Sequence, residues 1–200
     1  DEVTNKASLH IIIREGQRVR ILKININGNT AFPDKKIIRL IKTRAKWWFI
    51  TSGYLKEEVL DEDIERIESF YEQNGYIDAK ASYALEYLRK GNIEVDMTIE
   101  EGRRYSVGQM IITGNDIISE KEILRVMEEI KEGSVFSREK LSVDLSSIRT
   151  LYFDRGYIFA DVSETTSLDP ESGLVEVRVD IEEGEVAYIE QIKIQGNTRT

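Results

Sequence analysis

The 200-residue chain has no cysteine, one histidine and two prolines. The missing cysteine excludes a disulfide scaffold and any thiolate metal site, and it leaves the compartment open. One histidine, His10, removes histidine-rich metal centres and Cys-His nucleophile pairs. No two glycines lie closer than six positions, which rules out a G-x-G-x-x-G fingerprint, a P-loop and a G-x-x-G clamp. There is no run of about 18 apolar residues to cross a membrane as a helix, and Asp1 opens no signal peptide. Basic charge is also in deficit: the net charge of −9 and pI near 4.9 argue against a nucleic-acid footprint, which needs a basic face.

What the chain does have is an internal repeat, which decides architecture before any single residue does. An acidic residue and glycine, eleven strand-like residues and Gly-Asn occur three times: Glu15-Gly16 to Gly28-Asn29, Glu101-Gly102 to Gly114-Asn115, and Glu183-Gly184 to Gly196-Asn197. The Gly-Asn pairs at 28, 114 and 196 are 86 and then 82 residues apart, too long for a solenoid unit and right for a small domain. Two complete units are expected, residues 17–102 and 103–184. Residues 1–16 read as the last strand of a preceding unit and 185–200 as the first strand of a following one, so the chain reads as an excerpt of a longer protein. Units this small bury only roughly 60% of their unfolded surface, so neighbours are expected to support one another.

Within the first unit, Leu22, Ile24 and Ile26 alternate with Lys23, Asn25 and Asn27, the period of a half-buried strand that Gly28-Asn29 then ends. Pro33 and Asp34 start a helix with Ile37, Ile38, Leu40 and Ile41 as its apolar stripe. The second unit repeats the stripe as Ile123, Leu124, Val126 and Met127, begun by Ser119 and Glu122 at capping-box spacing. A second helix, Lys56 to Asn74, carries Leu60, Ile64, Ile67 and Tyr71 and ends at Gly75. Its counterpart carries Leu141, Leu145, Ile148 and Tyr152 and ends at Gly156. A hairpin follows in each, turning at Lys90-Gly91-Asn92 or at Pro170 to Gly173, with Ile93, Val95, Met97 and Ile99, or Val175, Val177, Val179 and Ile181, facing inward on the return strand. Each unit is therefore β-α-α-β-β in an α+β fold: a three-stranded mixed sheet covered on one face by two helices, with Lys23, Asn25, Glu94, Asp96, Glu176 and Arg178 on the wet face. His10 aligns with Asp96 and Arg178 and reads as solvent-facing.

Gly28 to Gly75 spans 47 positions and Gly114 to Gly156 spans 42, so the first unit carries five extra residues between its helices. They fall where Lys42, Arg44 and Lys46 adjoin Trp47, Trp48 and Phe49. A basic and aromatic cluster of this kind suits a membrane or partner contact, or folds back onto its own or the adjacent unit.

Catalysis finds little to stand on. Glu57, Glu58, Asp61, Glu62 and Asp63 crowd a helix start where the macrodipole favours negative charge, and Glu100-Glu101 and Glu182-Glu183 recur at each unit boundary as a structural joint would. The reading is non-enzymatic. What remains is backbone chemistry: the hairpin's first strand is left at the sheet edge, with unpaired N–H and C=O groups that can recruit an extended peptide. The candidate edge is Ala79, Ala81, Ser82, Tyr83, Leu85 and Tyr87, apolar where the second unit places Ala160, Val162, Glu164, Thr166 and Leu168. Gly16, Gly102 and Gly184 are the expected joints between units.

The unit order, the strand ending in Gly28-Asn29 or Gly114-Asn115, the helix ending Tyr71 to Gly75-Tyr76 or Tyr152 to Gly156-Tyr157, and the closing Ile99 to Gly102 or Ile181 to Gly184 resemble POTRA domains. These are the polypeptide-transport-associated repeats of BamA-type outer-membrane assembly proteins, and the resemblance covers essentially all 200 residues. The Trp47-Trp48 insertion makes the first unit similar to the third of the five repeats usual in those proteins, and the second unit similar to the fourth. The resemblance implies the periplasmic side of the cell outer membrane, a transmembrane β-barrel C-terminal to this stretch, and no metal or cofactor. The partners it implies are unfolded outer-membrane protein precursors, periplasmic chaperones and accessory lipoproteins, with no nucleic acid. A module of a two-partner secretion transporter, a chloroplast import relative or a division protein is the alternative.

Overall fold

The computed structural model describes residues 19–46, 53–188 and 191. The first unit contains β1 (Arg20–Asn27), α1 (Asp34–Leu40), α2 (Glu57–Gln73), β2 (Lys80–Tyr87) and β3 (Asn92–Glu100). The second contains β4 (Ser106–Thr113), α3 (Glu120–Val126), α4 (Arg138–Phe153), β5 (Asp161–Asp169) and β6 (Leu174–Glu182). The sheets have the orders β1-β3-β2 and β4-β6-β5, with a parallel pair (β1·β3, β4·β6) and an antiparallel hairpin (β2·β3, β5·β6) in each. The fold is α+β, two three-stranded mixed sheets each with a pair of helices.

The central strands read as their alternation requires: Ile93, Val95, Met97 and Ile99, and Val175, Val177, Val179 and Ile181, are buried in two separate cores. β1 departs from its pattern. Ile21 is fully buried while Leu22 is 43% exposed, because a bulge between Ile21 and Lys23 leaves Leu22 without a cross-strand partner. Ile21 then pairs with Ile93, Ile24 with Val95 and Ile26 with Met97, so the irregularity is what returns all three isoleucines to one face. β4 shifts at the equivalent place, between Val107 and Met110.

The short helices bury less than their stripes promise. Ile37 and Ile41 are buried in the first unit and Ile123 and Met127 in the second, but Ile38 and Leu124 are about two-fifths exposed. No capping box forms at Ser119, whose side chain makes no cap hydrogen bond, and Glu122 pairs with Arg155 instead. Seven-residue helices do not stand on their own propensity. A buried carboxylate secures each from the long helix beside it. Asp63 on α2 accepts from the amides of Lys42 (2.6 Å) and Thr43 (2.7 Å), and Asp144 on α4 from those of Glu129 (3.1 Å) and Ile130 (2.7 Å). Both aspartates are essentially fully buried.

The Gly-Asn pairs are turns of a specific kind. Gly28 and Gly114 adopt positive φ, and a Cβ on either would run into the backbone oxygen of Ile99 or Ile181 on the neighbouring central strand. Asn29 donates to the carbonyl of Phe32 (2.9 Å) and Asn115 to that of Ile118 (3.0 Å). The Glu-Gly glutamates meet the same turns. Glu101 accepts from the Ala31 amide (2.8 Å), the Thr30 hydroxyl and the Tyr71 hydroxyl (2.8 Å), and Glu183 from the Ile117 amide (2.9 Å) and the Tyr152 hydroxyl (2.8 Å). Burial and these carboxylates push the phenols of Tyr71 and Tyr152 well above their ordinary range. Burial also opposes ionisation of Glu101, but the hydrogen bonds from Thr30, Ala31 and Tyr71 outweigh it and hold the carboxyl below its usual value.

Two outcomes follow. Asp144→Ala strands the buried amide of Ile130 and the partly buried amide of Glu129, a stranded buried group costing about 1–3 kcal/mol, and a urea titration should show a loss of roughly 2–4 kcal/mol; a loss below about 0.5 kcal/mol would show that Asp144 does not clamp the connector. Because Glu101 ionises more readily folded than unfolded, its contribution is complete above about pH 4.5 and disappears as pH falls through the folded value. Glu101→Gln should therefore narrow the difference in urea midpoint between about pH 6 and about pH 3.5, and an unchanged difference would contradict the assignment.

Candidate peptide-docking edge

Among the described residues β2 pairs with β3 alone, in the register Lys80↔Glu100 to Tyr87↔Ile93. Two contacts fix which way its backbone groups point. The Leu88 amide donates to the Asn92 carbonyl (2.8 Å), so the even-numbered residues face β3; the Ala81 amide donates to Glu68 Oε1 on α2 (2.9 Å), so the odd-numbered residues face outward. Ala81, Tyr83, Leu85 and Tyr87 thus present their N–H and C=O groups at the edge, while Ser82 turns its own to β3. The side chains of Ala79, Ala81, Tyr83 and Leu85 are half-buried against their own core, and the Tyr83 hydroxyl donates to Asp61 (3.0 Å). Burial and that carboxylate raise the Tyr83 phenol. Tyr87 is 68% exposed.

On β5 the equivalent outward group at Val162 is a carbonyl, which accepts from the Arg149 guanidinium of α4. Residues 68 and 149 occupy the same place on their helices, as 81 and 162 do on their strands. The opposite sheet edge is partly covered. In the first unit the helix connector places the Lys46 amide on the Ile21 carbonyl (2.8 Å) and the Gly53 carbonyl on the Ile21 amide (2.7 Å); in the second, Gly133 and Ser134 do the same for Val107 (2.7 and 2.8 Å). The Lys46 side chain is exposed, whereas Trp47, Trp48 and Phe49 lie outside the described residues, as do Gly16 and His10.

The crowded acids of α2 are divided among separate tasks. Asp63 clamps the connector, Glu62 pairs with Arg66 (2.6 Å) and Lys42 (3.5 Å), and Asp61 meets Tyr83. Among the described residues no group of three or more His, Cys, Asp or Glu side chains could hold a metal.

Gly102 (φ 65°) lies between β3 and β4, and Gly184 (φ 66°) follows β6. Beyond Gly102 the units are in contact. The Tyr105 amide donates to the Gly75 carbonyl (2.8 Å) and its hydroxyl to Asp78 (2.8 Å), Arg138 pairs with Glu72 (3.2 Å), and Ile77 packs against the second core. Ala187 repeats the backbone contact on the Gly156 carbonyl (2.8 Å) without a hydroxyl to add. Reading the sequence alone misses Glu68, Arg149, Asp63, Asp144 and the Tyr105 contact. The one available signal was alignment of the repeats, which places aspartate at both 63 and 144. A Cβ at Gly75, where φ is +93°, would press on Val135 and on the Tyr105 carbonyl oxygen. Gly75→Ala should therefore alter the angle between units while leaving both folded, read as changed inter-unit residual dipolar couplings with unchanged intra-unit ones; an unchanged angle would show that Gly75 does not set it.

Comparison with known proteins agrees with this geometry. The profile of the POTRA family, described as "surface antigen variable number repeat", matches residues 19–102 and 105–184. The outer membrane protein assembly factor BamA of Nitratidesulfovibrio vulgaris is 27% identical over 200 residues, covering 97% of this chain and 25% of that protein. The BamA of Neisseria meningitidis is 27% identical over 203 residues, covering 98% and 25%. The chain thus spans about a quarter of the length of these relatives. Among solved structures, POTRA domains 3–5 of Haemophilus influenzae BamA share the fold at a TM-score of 0.62 and 18% identity, over 96% of this chain and 76% of that one. Haemophilus ducreyi BamA lacking POTRA domains 1–3 does so at 0.59 and 19%, over 84% and 29%. With two tandem matches over most of its length, the chain belongs to the POTRA family.

Proposed function

We propose that the two units are part of the periplasmic scaffold of an outer-membrane protein assembly factor, receiving unfolded β-barrel precursors by strand addition at β2. The observation that carries this reading is the outward row of backbone groups at Tyr83, Leu85 and Tyr87, beyond the Ala81 amide that Glu68 takes, on a strand with one neighbour in its sheet among the described residues. The names of the relatives, outer membrane protein assembly factors, support it. On this reading the chain works on the periplasmic side of the outer membrane, ahead of a C-terminal β-barrel, and periplasmic chaperones and accessory lipoproteins dock on its surfaces. Gly16, Gly102 and Gly184 act as the joints between repeats, and the 46–49 stretch, Lys46 with Trp47, Trp48 and Phe49, serves as a partner or membrane contact.

Magnitudes shape what the edge does. Each added hydrogen bond nets roughly 0.5–1.5 kcal/mol and ordering each peptide residue costs about 1–2 kcal/mol, so backbone pairing alone roughly cancels. Tyr83 and Leu85 already lean on their own core, so the further burial they offer a guest is limited. Binding is therefore weak, tolerant of sequence and fast to reverse, which suits transfer of many clients. No covalent step is required, and the module works without turnover.

An NMR titration of the 200-residue chain with peptides from outer-membrane barrel strands tests this. Fast-exchange shifts are expected at the amides of residues 81 to 87. Methylating alternate peptide nitrogens should abolish them in one parity and spare them in the other. Shifts that avoid β2 while appearing elsewhere would refute the edge as the receiving site.

A further inference from the structure

The outward edge of β2 is closed at one end by a side chain. Glu68 stands on α2 and takes the Ala81 amide (2.9 Å), while the remaining outward residues, Tyr83, Leu85 and Tyr87, have no such plug from the helix among the described hydrogen bonds. Arg149 does the same at Val162 of β5 with the opposite charge and on the opposite kind of backbone group. Edge strands invite unwanted pairing, and an inward-leaning charge is a known device for limiting it. Here the device is asymmetric along the strand, so it limits where pairing starts.

We propose that Glu68 sets the register of a strand added to β2. The added strand pairs with Tyr83, Leu85 and Tyr87, and at the position beyond Tyr83, level with Ala81, it carries a lysine or arginine that meets the Glu68 carboxylate. The inference rests on the strand-addition reading of β2. An extended peptide running past Tyr83 would bring its own carbonyl oxygen against the carboxylate already holding the Ala81 amide, a repulsion that a basic side chain at that level relieves. A carboxylate also accepts from ammonium or guanidinium donors in short charge-assisted bonds. Glu68 is half-buried on the flank of α2 beside β2, so the pair is partly shielded from solvent. Nothing about the wet face of the sheet substitutes for it, because Ser82, Ala84 and Glu86 point to that side. On β5 the Arg149 guanidinium reverses the preference to an acidic side chain, so the two units select for opposite charges.

The test uses one alternating polar/apolar peptide of neutral net composition and a set of variants in which a single lysine is walked along it. Affinities come from NMR titration of the 200-residue chain. For the wild-type chain one lysine position should bind up to about fivefold tighter than the others, as for a partly exposed ion pair. Glu68→Gln keeps an acceptor for the Ala81 amide and should erase that preference. Glu68→Arg should transfer it to a glutamate-walked set. Glu65→Gln, which removes the same charge from the exposed α1-facing side of α2, should leave the preference intact. Unchanged intra-unit amide shifts away from residue 68 confirm folding of each variant. Binding at Tyr83 to Tyr87 with equal affinity for every lysine position, or a preference that survives Glu68→Gln, overturns the register rule and leaves the edge reading standing. No shift at β2 with any peptide removes both.

Discussion

One carboxylate closes each unit, and the rest of the architecture is arranged around it. Glu101 sits just past the last strand, where it takes an amide and a hydroxyl from the turn after β1 and the phenol at the end of α2. A single charge thereby ties together the strand that finishes the unit, the strand that begins it and the helix that covers both. Glu183 repeats the arrangement with Ile117 and Tyr152. A consequence for the repeated signature is that its two ends belong to different units. Glu101 meets the Gly-Asn turn that precedes it by some seventy residues, while the Gly114-Asn115 turn that follows it in the same signature waits for Glu183. The signature is contiguous in sequence and divided in space, its first half closing one unit and its second half shaping the turn of the next.

The parts of this fold that period and turn chemistry govern were legible in the sequence. The central strands, the long helices with their terminal glycines and the order β-α-α-β-β all read directly from alternation and spacing. β1 was misread at Leu22, because a bulge changes parity without changing composition, and the true inward set needs the partner strand to be seen. The capping box at Ser119 failed because Glu122 found Arg155, a partner 33 residues away that no local rule weighs. Asp63 read as one of the acids crowding a helix start and Asp144 drew no reading at all, since the amides they serve come from a connector with no sequence mark of its own. The identity of the edge strand was legible from connectivity. Its outward parity, and the presence of Glu68 upon it, were not.

The two sheet edges are treated unequally. β1 and β4 have their first residues covered by the connector between helices, as single-rung bridges at Arg20↔Tyr54 and Ser106↔Val135 show. Among the described residues, β2 and β5 keep theirs open apart from one helix-borne side chain each. A protein that only needed to avoid aggregation would blunt both edges. The hairpin edge is instead left available, with a charge at one end of it, which is the arrangement the proposed strand addition needs.

The connector itself has a further consequence. In the second unit Gly133 and Ser134, consecutive residues, make the two contacts to Val107; in the first, the same two contacts to Ile21 come from Lys46 and Gly53. Six residues of sequence separate Lys46 from Gly53, whereas Gly133 and Ser134 are adjacent. The two contacts that cover the first rung of the sheet are therefore kept at either connector length. Covering the edge and carrying the Trp47-Trp48 stretch are thus separate matters: the second unit achieves the first with two adjacent residues and no added length.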